Sequence, residues 1–210
     1  MELDASKIEK EPVKPVRTKT PQLADRILAV ASRLFAVRRF HEVRMEDIAC
    51  AAEVGKGTLY RYFEDKQQLY LALLDQAAAG LGQRIDEGIA SAGGPRAKLE
   101  AMVAAILEYF DANPYLLDLL HYAEGRQHSG ALAAWQSLRT GNIRRALEIL
   151  EEGRLAGLWD VPDPHTPVLI LLGGLRSVLR FGPLPRPAGL ARRIVEDFLH
   201  GASRVVAVSA

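Results

Sequence analysis

Residues 44–66 read RMEDIACAAEVGKGTLYRYFEDK, and their spacing decides the fold. Ile48, Ala49 and Ala52 fall at i, i+1 and i+4, one apolar face of a helix. Glu53-Val54-Gly55 follows, and a glycine there can end a helix with a positive φ. A second helix is predicted from Lys56 to Phe63, with Leu59 and Phe63 four apart on one face. Lys56, Thr58, Tyr60, Arg61 and Tyr62 are left largely on the others. A short helix, a tight turn and a helix that carries basic, hydroxyl and aromatic groups outside is a helix-turn-helix pattern.

The chemistry of those outward groups is that of a duplex reader. A helix fits the major groove and its first turns meet the base edges. Lys56 can donate to guanine O6 or N7, and Gly57 lets backbone approach the duplex closely. Thr58 offers a hydroxyl to phosphate and a methyl to thymine; Tyr60 and Tyr62 can send phenols to phosphates. Arg61 can read a base, Lys66 can reach phosphate from the next helix, and Arg44 brings a fork of donors. The competing reading is that Tyr60 and Tyr62 only pack the head.

The flanks support a helical head. Thr20-Pro21 is an N-cap followed by proline at the first helical position. Ile27, Leu28, Ala31, Leu34 and Phe35 continue as one apolar stripe that should brace the motif. Arg38, Arg39 and His41 suit the end of that helix. Asp65 to Gln68 resembles a capping box and opens a connecting helix through Leu69, Leu73, Leu74 and Ala77, with Gly80, Gly82 and Gly88 weakening its propensity. Residues 1–19 are polar, carry Pro12 and Pro15, and are expected to be a disordered basic arm.

The remainder also reads as helices. Leu99, Val103, Ile106, Leu107 and Phe110 form one stripe, and Asn113-Pro114 ends it. A short leucine-rich helix and a long pattern over about residues 130–156 follow. Thr166-Pro167 is expected to start a helix whose core, Val168 to Leu175, is apolar nearly all round and so buried on more than one side. A last helix carries Leu190, Ile194, Val195, Phe198 and Leu199. No stretch alternates as a strand would. The fold class expected is all-α: a three-helix head with a helix-turn-helix and a larger helical body. The divisions expected are an arm at 1–19, a head at 20–66 and a body at 67–210.

The stretch resembles the DNA-binding signature of the TetR/AcrR family of bacterial transcription regulators. Ile48-Ala49, Val54 through Tyr60, Tyr62-Phe63 and Lys66 carry the resemblance, which covers roughly residues 20–75. The family often has Ser or Thr where Arg44 stands, so the helix cap there has no sequence explanation. By resemblance Lys56, Gly57, Thr58, Tyr60, Tyr62 and Lys66 match family contact positions, and Arg61 a variable one. The resemblance implies a ligand-responsive repressor bound as a homodimer to a palindromic double-stranded DNA operator. The last two helices would form a four-helix dimer interface, and the body would enclose a pocket for a small-molecule effector. Tyr109, Tyr115, His121, Tyr122, Trp135, Arg176 and Arg180 are amphipathic or basic residues on apolar helices that could line it. The alternative is a helical small-molecule-binding or interaction protein that reads no operator.

Composition agrees with this and narrows the rest. The chain has 210 residues and net charge +1, but residues 12–70 hold 11 Lys and Arg against 7 Asp and Glu, while residues 71–210 hold 14 against 15. A basic first third on a near-neutral body suits a nucleic-acid head. A single cysteine, Cys50, excludes an internal disulfide framework and fits a cytoplasmic protein. The five histidines form no HxxxH pair, and no phosphate loop or GxSxG occurs. No enzyme, metal, cofactor or membrane association is expected from this sequence.

Overall fold

The computed structural model describes residues 20–124 and 133–202, with the side chains of 122–124 and 202 outside that description. The described residues form helices α1 (Pro21–Val37), α2 (Met45–Ala51), α3 (Lys56–Tyr62), α4 (Lys66–Ser91), α5 (Pro95–Ala112), α6 (Tyr115–Glu124), α7 (Ala133–Leu155), α8 (His165–Phe181) and α9 (Leu190–Ala202). A single 3-10 turn, Phe40–Glu42, joins α1 to α2. The fold is all-α, as the periodicities predict. The expected arm at 1–19 lies outside the described residues.

Two apolar clusters organise the chain. The first joins Ile27, Ala31 and Phe35 of α1 to Ile48 of α2, Leu59 of α3, Phe63, and Leu69 and Leu73 at the start of α4. The second, larger cluster takes over along the same helix with Leu74, Leu81 and Ile85 and adds residues of α5 through α9. α4 thus serves both cores, because 26 residues give it room for one apolar patch per core. Its glycines do not interrupt it. At Gly80 the Tyr109 side chain of α5 packs in: a Cβ there would sit 2.7 Å from its hydroxyl oxygen.

Local chemistry explains the helix ends, with several departures from expectation. Gly55 does not end α2. The left-handed residue is Glu53, at φ 53°, and Gly55 sits at φ −65° as the N-cap of α3. The Glu53 N–H donates to Cys50 O at 3.1 Å and the Val54 N–H to Ala49 O at 3.0 Å, the paired closing bonds of a Schellman turn. The missing cap at Arg44 is supplied from inside the helix: the Asp47 carboxylate accepts from the Arg44 backbone N–H at 3.0 Å. Asp65 caps α4 by accepting from the Gln68 N–H at 2.7 Å, while the Gln68 side chain reaches back to the Glu64 N–H at 2.9 Å. Thr20 precedes α1 without a side-chain cap, since its hydroxyl is turned to Tyr62.

The penultimate helix begins at His165 behind Pro164, not at Thr166, whose hydroxyl instead meets the Asp163 carboxylate. Nor does α8 find cover on more than one side among the described residues. Val168, Leu171, Leu175 and Leu179 are buried, whereas Ile170 is 68% and Phe181 79% exposed. α4 and α7 are clamped at the surface by the Arg145 guanidinium, which donates twice to the Asp86 carboxylate at 2.7 Å. Those bonds hold the Asp86 carboxyl below its ordinary value, although burial opposes the shift. No described helix is long and apolar enough to cross a membrane.

Candidate nucleic-acid interface and body cavity

α3 is anchored from beneath. Leu59 is fully buried, and Tyr62 and Phe63 follow it into the head core. The opposite side then has to face solvent, and Lys56, Gly57, Tyr60 and Arg61 do, with Thr58 half-buried beside them. Arg44 is exposed at the N-terminus of α2. These six sequence-predicted residues form one surface around the start of α3. The Lys56 ammonium lies 2.6 Å from the Glu46 carboxylate and 5.9 Å from the Tyr60 ring centre. The hydrogen bond from Lys56 lowers the Glu46 carboxyl below its usual range, and the same bond raises the lysine.

Two predicted contact residues sit differently. Tyr62 is buried, and its phenol oxygen accepts from the Thr20 backbone N–H at 2.6 Å, pinning the start of α1. That hydrogen bonding from Thr20 also holds the phenol below its ordinary pKa. Lys66 is half-buried, donates to the Phe40 carbonyl and lies 4.1 Å from the Phe40 ring centre. Burial, and secondarily the charge of Arg38, lowers its pKa. Both side chains have structural work inside the head, and only the placement of distant elements reveals it.

The body holds a cavity of about 350 Å³ between α4, α5, α6, α7 and α8. Its floor is apolar, with Leu81, Ile106, Phe110 and Leu175 among its walls. Of the seven residues proposed from sequence, Trp135, Arg176 and Arg180 line it. Tyr109 packs against Gly80 instead, Tyr115 lies against the head core beside Ser32, and His121 is exposed. Burial raises the pKa of both Tyr109 and Tyr115. The Tyr122 side chain lies outside the described residues. Sequence reading missed Arg139 and Asn142, which also line the cavity. The signal was present: Trp135, Leu138, Arg139 and Asn142 recur at i, i+3, i+4 and i+7 on one face of α7.

Known proteins fit this geometry. Residues 27–73 match the model described as bacterial regulatory proteins, tetR family. The head of the chain is thus similar to that family. An uncharacterised HTH-type transcriptional regulator of Mycobacterium tuberculosis, Rv1255c, is 36% identical over 98 residues, 47% of this chain and 48% of that protein. The HTH-type transcriptional repressor NicS of Pseudomonas putida is 26% identical over 70% of this chain and 71% of its own. A solved tetR-family bacterial regulatory protein from Rhodococcus RHA1 superposes with a TM-score of 0.73 at 21% identity, over 89% of this chain and 100% of that one. The chain thus spans about half the length of the mycobacterial relative, while its fold follows the solved structure over 89% of this chain.

The match ends at residue 73, where α4 passes from the head core to the body. The matched segment contains the whole exposed surface around α3 and Arg44.

Proposed function

We propose that the chain is a sequence-specific DNA-binding transcriptional regulator, a ligand-responsive repressor that binds a palindromic operator as a dimer. The observation that carries this is the surface of α3, where Lys56, Gly57, Thr58, Tyr60 and Arg61 face outward over a helix anchored by Leu59. Its first turn presents donors and a bare backbone position, the chemistry a major groove requires. Repression follows the likeness to a named repressor over 70% of this chain.

Dimerisation is supported by the uncovered side of α8. Ile170 and Phe181 are exposed, and between them Gly173 and Gly174 have open space where a Cβ would stand. A second α8 can approach closely along that line, and two-fold symmetry places each residue in the contact twice. Replacing Ile170 by Glu should therefore convert dimer to monomer at micromolar concentration with helicity unchanged. With two buried side chains at about 2 kcal/mol each, the dimer constant should weaken by roughly 10³-fold. Sedimentation equilibrium reads this directly, and an unchanged dimer would place the interface elsewhere.

The link from effector to operator runs through α4. Leu81 lines the cavity, and Leu69 and Leu73 of the same helix belong to the head core. A ligand that displaces Leu81 moves the helix on which the head is seated, and favours a dimer whose recognition helices miss successive major grooves. Selection of genomic fragments by the purified protein at near-physiological salt tests the reading. A single palindromic motif is expected, and retention of unrelated fragments with equal affinity would refute operator reading.

A further inference from the structure

Resting on the reading of the body cavity as an effector site, we propose that it selects lipophilic anions: compounds with an apolar body and an oxyanion at one end. The charged part of its lining is one-sided, and its neutral polar residues are Gln136, Asn142 and Trp135. Arg139 of α7 and Arg176 and Arg180 of α8 all contribute, and among the described residues the lining contains no acidic side chain and no hydroxyl. Arg176 and Arg180 are four apart and share a face of α8. No ion pair involves Arg139 or Arg180 among the described residues.

The α7 side adds two buried donors on the stripe that carries Arg139. Trp135 lies one turn before it, and its indole Nε1 is buried without a hydrogen-bond partner. An unpaired buried N–H is costly, and a bound acceptor oxygen would remove that cost. Asn142 lies one turn after Arg139 and is the buried polar residue of the chain's described core. Its Oδ1 already accepts from Arg145 at 3.2 Å, so the side of the amide left for a ligand is its Nδ2 donor. Indole, guanidinium and amide thus form a row of donors facing an apolar floor. An oxyanion is met by this row and held bidentately by arginine, while its apolar part lies against Leu81, Ile106 and Phe110. A lipophilic cation meets the like charges of Arg139 and Arg180 and, among the described lining residues, no carboxylate.

The test compares three probes with one tail, dodecanoate, dodecanol and dodecyltrimethylammonium, each below its micelle concentration, titrated calorimetrically into the full-length dimer without DNA. Dodecanoate is expected to bind at least about tenfold more tightly than either other probe. The paired substitution Arg139→Gln with Arg180→Gln alters exposed side chains and should leave unfolding unchanged while reducing dodecanoate to the affinity of dodecanol. Trp135→Phe keeps the ring and loses only the N–H, and should weaken dodecanoate by about fivefold with little effect on dodecanol. Equal binding of all three probes, tighter binding of the cation, no binding of any, or a preference that survives the arginine substitutions would each overturn the proposal. Because DNA is absent, anion selection can fail while operator reading stands, and operator reading can fail while anion selection stands.

Discussion

Replacing Gly57 by Glu is expected to abolish operator binding while leaving the protein as stable as before. Gly57 is exposed at the second position of α3, and a Cβ there would meet nothing within 4 Å. A carboxylate near a helix N-terminus is favourable by about 0.3–1 kcal/mol, so the thermal midpoint should hold or rise slightly. On DNA the same side chain projects from the turn that must enter the groove and puts negative charge against phosphates. At about 2 kcal/mol for each of two heads, affinity for the selected palindrome should fall roughly 10³-fold. Fluorescence anisotropy with labelled operator gives the affinity, and a thermal scan of the same sample gives the stability. Wild-type affinity in a folded variant would show that α3 does not lie against the duplex. Lys56→Ala is the gentler companion. It should weaken specific binding more than non-specific binding, whereas equal loss of both would make Lys56 a phosphate contact.

The second large effect falls on stability, at the far end of the body. Gly153 lies inside α7, where an alanine would ordinarily stabilise a helix by about 0.5–1 kcal/mol. Here the sign is reversed. The Trp159 ring packs on the bare backbone of Gly153 so closely that a Cβ would overlap the ring itself. Trp159 is held there by burial and by its Nε1–H, which donates to Leu150 O at 2.9 Å. Neither rigid ring nor helix backbone can yield, so Gly153→Ala must expel the indole. The loss should be about 3 kcal/mol, combining overpacking with an aromatic side chain returned to water. For a chain of this size that lowers the midpoint by roughly 6–12 °C. Circular dichroism measures the midpoint, and a red shift in tryptophan emission reports the displaced ring. An unchanged or higher midpoint would show that Trp159 has another place to pack.

Much of the head was legible because its signals are local. Leu59 and Phe63 four apart specify the inner face of α3, and the outer face follows by exclusion. Asp65 and Gln68 cap α4 within one turn of chain. The same local logic misplaced the left-handed residue. Gly55 is the residue type that prefers positive φ, yet Glu53 adopts it, because the Schellman turn needs that conformation two residues after the last helical one. The cap of α2 is not legible at Arg44 itself, because the acceptor is Asp47, three residues further on.

The cavity was only partly legible. Amphipathic residues on apolar helices drew attention to Trp135, Arg176 and Arg180, and these do converge. The same criterion chose Tyr109 and Tyr115, which go to the α4–α5 contact and to the head core. An aromatic ring with a polar tip suits any partly wet contact, so residue type cannot distinguish between them.

The sequence by itself determined the class of fold, the order of helices and the outward chemistry of α3. Periods, caps and breakers act between residues at most a few positions apart, and their preferences survive in any context that buries the apolar face. Only the tertiary structure decided what the polar side chains do. Tyr62 is committed to Thr20, Lys66 to Phe40 and Lys56 to Glu46, and five helices together shape the cavity. A long polar side chain can reach several partners at nearly equal free energy. The choice among them is made by which distant backbone packing brings within hydrogen-bonding distance.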